Sequence, residues 1–374
     1  MQIPIIVFRA PAGLRACALG LALLLPLSAC GSDSGSTSTP TTVATTVATT
    51  TATTSATTGT TIPVATTEAA TTTTDATTTS ATTTSGTVAI TAPVDAVGTV
   101  THGTLELDGG RRTYRLYVPS ALPAGPVPLF VGLHGGTGWD DQFATTNHIE
   151  RLAESNGFIV VHPDGVQAAG GPGGVWNAGL CCARAVREDV DDVSFVNTLL
   201  DQLMIDHAID PNRVFAFGHS NGGMMSYRLA CELGDRIVGI GVVAATLAVD
   251  DCDLAEPVSI IHVHGTADTN VPIAGGRGAD SLVGIDFPAP MAGFETLAAL
   301  DGCSAPVVVT TGDVTTDRRE PCAAGTAAMF VTIASANHAW PGGTPIIAPA
   351  VGAGYPDYDA TAEIVTFLLG HPRP

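Results

Sequence analysis

Residues Phe215–Glu232 read FAFGHSNGGMMSYRLACE. The stretch opens as a short apolar run, passes through Gly218-His219-Ser220-Asn221-Gly222, and continues as NGGMMSYRLACEL with the character of a helix. A buried strand that turns sharply into a helix needs glycine where backbone passes within contact distance of backbone. The competing reading is a glycine-rich loop that merely contains a serine. The two are separated by whether the rest of the chain supplies a base, an acid and an anion site in the right order.

Working outward, VPLFVGLHGG and GFIVVHPDG are continuous apolar runs ending in glycine- or proline-rich turns, as buried parallel strands do. RTYRLYVP alternates like an early strand, and IVGIGVVAATLA, VSIIHVHG and AAMFVTIA are three more buried ones. VDDVSFVNTLLDQLMIDHAID has helical spacing, with Val193, Val196, Leu199, Leu200 and Leu203 on one side. ATAEIVTFLLGH closes the chain as an amphipathic helix. Strands alternating with helices predict an α/β fold, a mostly parallel central sheet covered by helices on both faces, within a single domain at 99–374.

In that setting G-x-S-x-G is the strand-to-helix elbow that presents a nucleophilic serine. A serine hydroxyl is a poor nucleophile without a base to take its proton. In this fold class the partners follow in the order serine, acid, histidine. Asp268 stands just past the predicted strand VSIIHVHG, and His338 lies in the loop after the last strand, so Ser220, Asp268 and His338 satisfy the order. Catalytic groups of open α/β sheets gather at such carboxyl ends. Asp286 is the rival acid. His262 and His264 fall within a strand and read as packing or turn residues. His219 neighbours the serine but points away from it. Asp191 and Asp192 precede Ser220 and read as caps of the helix beginning near Val193. The anion site requires two donors: the N–H of Asn221 at the helix start, and that of Gly136 in LHGGTG.

The first 98 residues differ from the rest. Segment 1–30 has Arg9 and Arg15, the apolar run ACALGLALLLPL and the ending LSAC, which reads as an export leader. Leu27-Ser28-Ala29-Cys30 resembles a bacterial lipobox, with Cys30 the acylated residue that anchors the protein in a membrane. In 37–85, 27 of 49 residues are threonine, so segment 31–98 reads as a tether unable to offset its ordering entropy. The expected location is outside the cell, on the membrane and facing the wall. A net charge of −20 with scattered cations argues against nucleic acid as partner. Beyond Cys17 and Cys30 six cysteines remain, Cys181, Cys182, Cys231, Cys252, Cys303 and Cys322, and an even number in an exported domain suggests three disulfides. No Cys-x-x-Cys pair exists, so no metal is expected, and no cofactor either.

Five separated motifs, LHGGTG, WNAGLCCARA…VDDVSFV, IDPNRVFAFGHSNGGMMSYRLACEL, HGTADTNVPIAGG and NHAWPGG, resemble the polyhydroxybutyrate depolymerase-like esterases. That α/β-hydrolase group includes feruloyl and acetylxylan esterases. The resemblance runs from about Gly103 to the C-terminus and implies a serine esterase acting through Ser220, Asp268 and His338. It also implies disulfides near the site: Cys303 with Cys322 around a β-structured excursion, and Cys181 and Cys182 with Cys231 and Cys252 in either order. Depolymerases of solid polyester usually carry a polymer-binding domain, and nothing after the hydrolase domain fits one. Soluble oligomers, or esters on polysaccharide, are therefore the expected substrates. Trp340 and Trp176 are the aromatic candidates for the substrate site. The rival from another class is a cell-surface binding protein that kept the fold without the chemistry.

Overall fold

The apolar runs of the sequence line up as neighbouring strands. The computed structural model describes residues 91–374, apart from 169–172 and 347 and the side chains of 348 and 349. The expected leader, Cys30 and the threonine-rich tract up to residue 90 lie outside the described residues. Twelve strands are described: β1 Thr99–Leu107, β2 Gly110–Val118, β3 Val127–Leu133, β4 Ile159–Pro163, β5 Val166–Gln167, β6 Gly174–Val175, β7 Ile209–His219, β8 Gly239–Val243, β9 Ser259–Gly265, β10 Val307–Thr311, β11 Val314–Arg319 and β12 Ala328–Ile333. Ten form one sheet in the order β1-β2-β4-β3-β7-β8-β9-β12-β11-β10, and β5 pairs with β6 alone. The six strands from β4 to β12 run parallel; β1, β2, β11 and β10 are antiparallel additions at the edges.

Alternation along the central strands sends side chains to two separate cores. Leu129, Val131 and Leu133 face one, whereas Phe130 between them faces the other. The first core is closed by helices α4 (Asp192–Asp206), α5 (Asn221–Glu232) and α6 (Pro290–Leu300), which follow three short ones, α1 (Asp140–Asn147), α2 (Ile149–Asn156) and α3 (Ala183–Arg187). The second is closed by α1, α2 and α8 (Ala360–Leu369), the last following the short α7 (Ala348–Val351). Each strand residue thus loses its water on one face or the other, about 1.5–3 kcal/mol for a large apolar side chain. This is the α/β-hydrolase fold, with the sheet sandwiched between helices as the continuous apolar runs require.

Local chemistry sets the helix ends. Asp191 caps α4 by accepting from Ser194 N–H at 2.9 Å, and Asp359 caps α8 by accepting from Ala362 N–H at 2.9 Å. Asp192, read as a second cap, does something else. Its carboxylate is buried, accepts from Arg112 at 2.7 Å and from Asn177 N–H at 2.7 Å, and so ties the start of α4 to strand β2.

The disulfides differ from the implied set at one place. Cys303 pairs with Cys322 at the base of the β10–β11 hairpin, and Cys231 pairs with Cys252. Cys181 and Cys182 pair with one another, not with Cys231 or Cys252. The reason is topological: Cys231 at the end of α5 and Cys252 in the loop after β8 lie 4.9 Å apart at Cα, within ordinary bridging distance, which leaves the two adjacent cysteines each other.

Candidate active site

Strand β7 ends at His219, and Ser220 takes φ 52° and ψ −121° before α5 begins at Asn221. Such a conformation is costly for a residue with a side chain and persists only where the surroundings impose it. Here the packing does. A Cβ on Gly218 would stand 2.3 Å from Gly222 O, and one on Gly222 would stand 2.1 Å from Leu133 O. The strand, the turn and the helix therefore touch backbone to backbone, and the serine hydroxyl is pushed out at the carboxyl edge of the sheet.

The structure brings the three expected side chains together there. His338 Nδ1 donates to Asp268 Oδ2 at 2.7 Å, and Ser220 Oγ donates to His338 Nε2 at 2.9 Å. With Nδ1 carrying the proton, Nε2 is free to accept one. Asp268 Oδ1 accepts from the N–H groups of Asn270 at 2.8 Å and Val271 at 2.9 Å. Burial alone would raise the Asp268 pKa, but the hydrogen bond and charge of His338, with His264 and the Val271 N–H, outweigh it and hold the carboxyl below its ordinary range. The rival acid Asp286 is exposed and faces Arg277 at 3.8 Å, away from these groups.

Gly136 and Asn221 line the same cavity as Ser220 and His338. Neither residue's N–H donates a hydrogen bond to the protein among the described residues. The loop of Gly135 and Gly136 lies directly on the elbow: a Cβ on Gly135 would be 3.5 Å from Ser220 Cβ, and one on Gly136 would be 3.8 Å from Asn221 Cβ. Two unpaired N–H groups beside a serine and a helix N-terminus are suited to an oxyanion. The cavity measures about 250 Å³, and its walls include Met224, Val271, Val283, Phe287 and the Cys181–Cys182 pair.

Both tryptophans singled out in the sequence lie elsewhere, so the expectation that they face substrate is corrected. Trp176 is fully buried; its Nε1 donates to His134 O at 2.9 Å, and its backbone N–H and C=O are bracketed by the Asn221 side chain at 2.8 and 3.1 Å. Trp340 is 2 % exposed, donates to Thr361 Oγ1 at 2.9 Å and borders a void of about 20 Å³ rather than the cavity of Ser220. The exposed tryptophan is Trp139, 40 % accessible, on a cleft of about 450 Å³ alongside Arg111, Asp164 and Arg184. An indole is large enough to serve the core, and sequence position near a catalytic loop does not reveal which way it turns.

Three histidines dismissed from the sequence support the site from behind. His219 Nε2 donates to His338 O at 2.6 Å; burial drives its pKa down to about 3, so it is neutral. Tyr227 O–H donates to His262 Nδ1 at 2.8 Å, His262 Nε2–H to His264 Nδ1 at 3.1 Å, and His264 Nε2–H to Val271 O at 2.9 Å. That chain has one direction, because a carbonyl at its end only accepts. Its last N–H also stands 3.5 Å from Asp268 Oδ2, the oxygen that accepts from His338. Burial holds both His262 and His264 below the ordinary imidazole range. A signal was present in the sequence: His262 and His264 are spaced by two, so they share one face of β9, the face beneath α5.

A serine with its proton directed at an imidazole nitrogen, a carboxylate behind that imidazole, and paired N–H groups in front can carry out acyl transfer. The chain is similar to known esterases in sequence. A family profile described as Esterase PHB depolymerase matches residues 112–279. The "Putative esterase NocK" of Nocardia uniformis subsp. tsuyamanensis is 30% identical over 74% of this chain and 84% of its own length. Feruloyl esterase B of Piromyces equi is 30% identical over 57% of this chain and 40% of its own. Among solved structures, the acetyl xylan esterase from Aspergillus awamori matches at 17% identity and TM-score 0.47, covering 67% of this chain and 96% of that one.

Proposed function

This chain belongs to the polyhydroxybutyrate-depolymerase family of esterases, and from that membership we propose that it hydrolyses carboxylic esters through an acyl-enzyme on Ser220. The observation that carries the reading is the unbroken Ser220–His338–Asp268 hydrogen-bond chain at the wall of an apolar cavity. Ser220 Oγ attacks the acyl carbon while its proton passes to His338 Nε2. The carbonyl oxygen, now an anion, is received by the N–H groups of Gly136 and Asn221. His338 returns the proton to the leaving alkoxide, the ester C–O bond breaks, and the acyl group remains on Ser220. Water then repeats the sequence: its proton goes to Nε2, its oxygen to the acyl carbon, and the acid departs as Ser220 recovers its proton. Asp268 keeps Nδ1 protonated and stabilises the imidazolium formed in each half.

The substrates proposed are esters with a small or aromatic acyl group, either hydroxybutyrate-type oligomers or feruloyl and acetyl esters of polysaccharide. We place the enzyme outside the cell, held to the membrane through Cys30, on the strength of the leader and lipobox. Replacing Cys30 by Ala should release the protein into the medium. For the chemistry, the domain 99–374 is assayed on methyl ferulate and on a 3-hydroxybutyrate trimer, with Ser220→Ala as blank. Hydrolysis of either above the blank, with labelling of Ser220 by a fluorophosphonate, supports the esterase. Absence of both returns the chain to a binding protein that kept the fold.

A further inference from the structure

The chain contains no lysine, so arginine is its sole permanently charged side-chain cation. Among the described residues every arginine but one makes an ion pair or a hydrogen bond. The exception is Arg187, and it lines the cavity that holds Ser220. No aspartate or glutamate is among the described residues lining that cavity. The two acids that follow Arg187 are engaged elsewhere: Glu188 pairs with Arg184 at 2.8 Å, and Asp189 faces the Asn177 amide at 3.4 Å. Arg187 is exposed at the cavity wall and is the last residue of helix α3, which begins immediately after the Cys181–Cys182 wall of the same cavity and is anchored by the fully buried Ala185. In a chain with 35 acidic side chains, an arginine facing an acid-free apolar cavity is a partner left for something that enters.

We propose that Arg187 is a specificity residue that receives a carboxylate carried by the substrate, making this an esterase of monoanionic esters. The inference rests on the esterase reading and narrows it. A guanidinium presents a fork of N–H donors that a carboxylate fits with two parallel bonds, and such charge-assisted pairs are the stronger ones. The cavity supplies the rest of the recognition, since Met224, Val271, Val283 and Phe287 suit the aliphatic part of the same molecule. The net charge of −20 repels an anion at long range, but salt screens that field beyond roughly 8–10 Å, so the acid-free lining and Arg187 decide close to the site. A free-acid oligoester carries its carboxylate on the alcohol side of the scissile bond, and a dicarboxylic half-ester carries it on the acyl side.

The test compares two matched pairs: 4-nitrophenyl hydrogen glutarate with 4-nitrophenyl valerate for the acyl side, and 3-acetoxybutanoic acid with 3-acetoxybutanamide for the alcohol side. The readout is the ratio of kcat/KM for the anionic over the neutral member. Arg187→Gln is expected to lower this ratio about tenfold or more in one of the pairs, with Arg187→Lys in between. The pair that responds identifies which side bears the charge. A ratio equal in wild type and Arg187→Gln for both pairs overturns the proposal. Calorimetric binding of 4-nitrophenyl hydrogen glutarate to Ser220→Ala, against Ser220→Ala/Arg187→Gln, decides the same point without turnover. If wild type cleaves none of the four esters faster than Ser220→Ala, the esterase reading fails while the binding comparison still tests Arg187.

Discussion

His219 donates from Nε2 to the main-chain oxygen of His338 at 2.6 Å, so the residue before the serine holds the loop that carries His338. Elbow and His338 loop are thereby one unit, although 119 positions separate the two residues in the chain. Burial, with the nearby His338 adding to it, keeps His219 neutral through the physiological range, and its one ring proton then sits on the Nε2 that makes this bond.

Replacing His219 by Phe should lower kcat by about 10- to 100-fold, the worth of one buried hydrogen bond that aligns a reacting group. His219→Gln, which keeps an N–H donor, should recover much of it. Active sites are counted by fluorophosphonate titration, so that a fall in kcat per site is separated from a smaller folded fraction. Equal kcat per site in Phe and Gln variants would show that the bond only packs the loop.

Asp268→Asn should reduce kcat by roughly 10³–10⁴ through loss of the tautomer that leaves Nε2 free. The same change has a stability signature. The Asp268 pKa is depressed in the folded protein, so its contribution is present above the unfolded value of about 3.9 and is lost as pH falls through the folded one. Urea midpoints measured from pH 6 to pH 2.5 should therefore fall more steeply for wild type than for Asp268→Asn.

The buried pair of Arg112 and Asp192 makes a different demand. Removing the cation by Arg112→Met leaves a carboxylate of 0 % exposure without its charge partner, and should cost about 3–5 kcal/mol in denaturant unfolding. Arg112→Met combined with Asp192→Asn should be milder than the single change. A single variant as stable as the double would mean that Asn177 N–H alone satisfies Asp192.

Asp301 is pushed up to about 6 by burial, against the hydrogen bond from Val258 N–H and the Thr326 contact. Its folded pKa exceeds its unfolded one, so stability is unaffected well below pH 4 and falls as pH rises from about 4 to about 6, where the unfolded chain ionises first. The loss is on the order of 1–2 kcal/mol after solvent screening. Asp301→Asn should flatten this part of the stability–pH curve, which thermal melts at pH 4, 5, 6 and 7 will show.

Much of this protein is legible in its sequence. The parallel core strands announced themselves because a strand covered on both faces is apolar nearly throughout, and VPLFVGL and VFAF have no polar face to expose, whereas in SIIHVHG the pair His262 and His264 marks one face. The elbow was legible because Gly218 and Gly222 stand where a Cβ would strike backbone, a demand written in two fixed positions. The order Ser220, Asp268, His338 followed from which strand ends the loops leave. Strands β10 and β11 were implied only by the family resemblance, as the β-structured excursion between Cys303 and Cys322, because Val307, Val308 and Val309 are more than half exposed and no burial pattern marks them.

What the sequence determined by itself was therefore whatever depends on neighbours along the chain: strand and helix identity, the strained turn, the order of the three reactive side chains. Tertiary structure alone decided which groups meet across the sheet. It turned Trp176 and Trp340 into the core, closed Cys181 on Cys182, ran a hydrogen-bonded line from Tyr227 through His262 and His264 to Val271 O behind Asp268, and left Arg187 at the cavity wall without an ion-pair or hydrogen-bond partner among the described residues. The physical reason is that local propensity and burial are encoded in adjacent residues, whereas the partner of a buried polar group is whatever the fold places within about 3 Å of it.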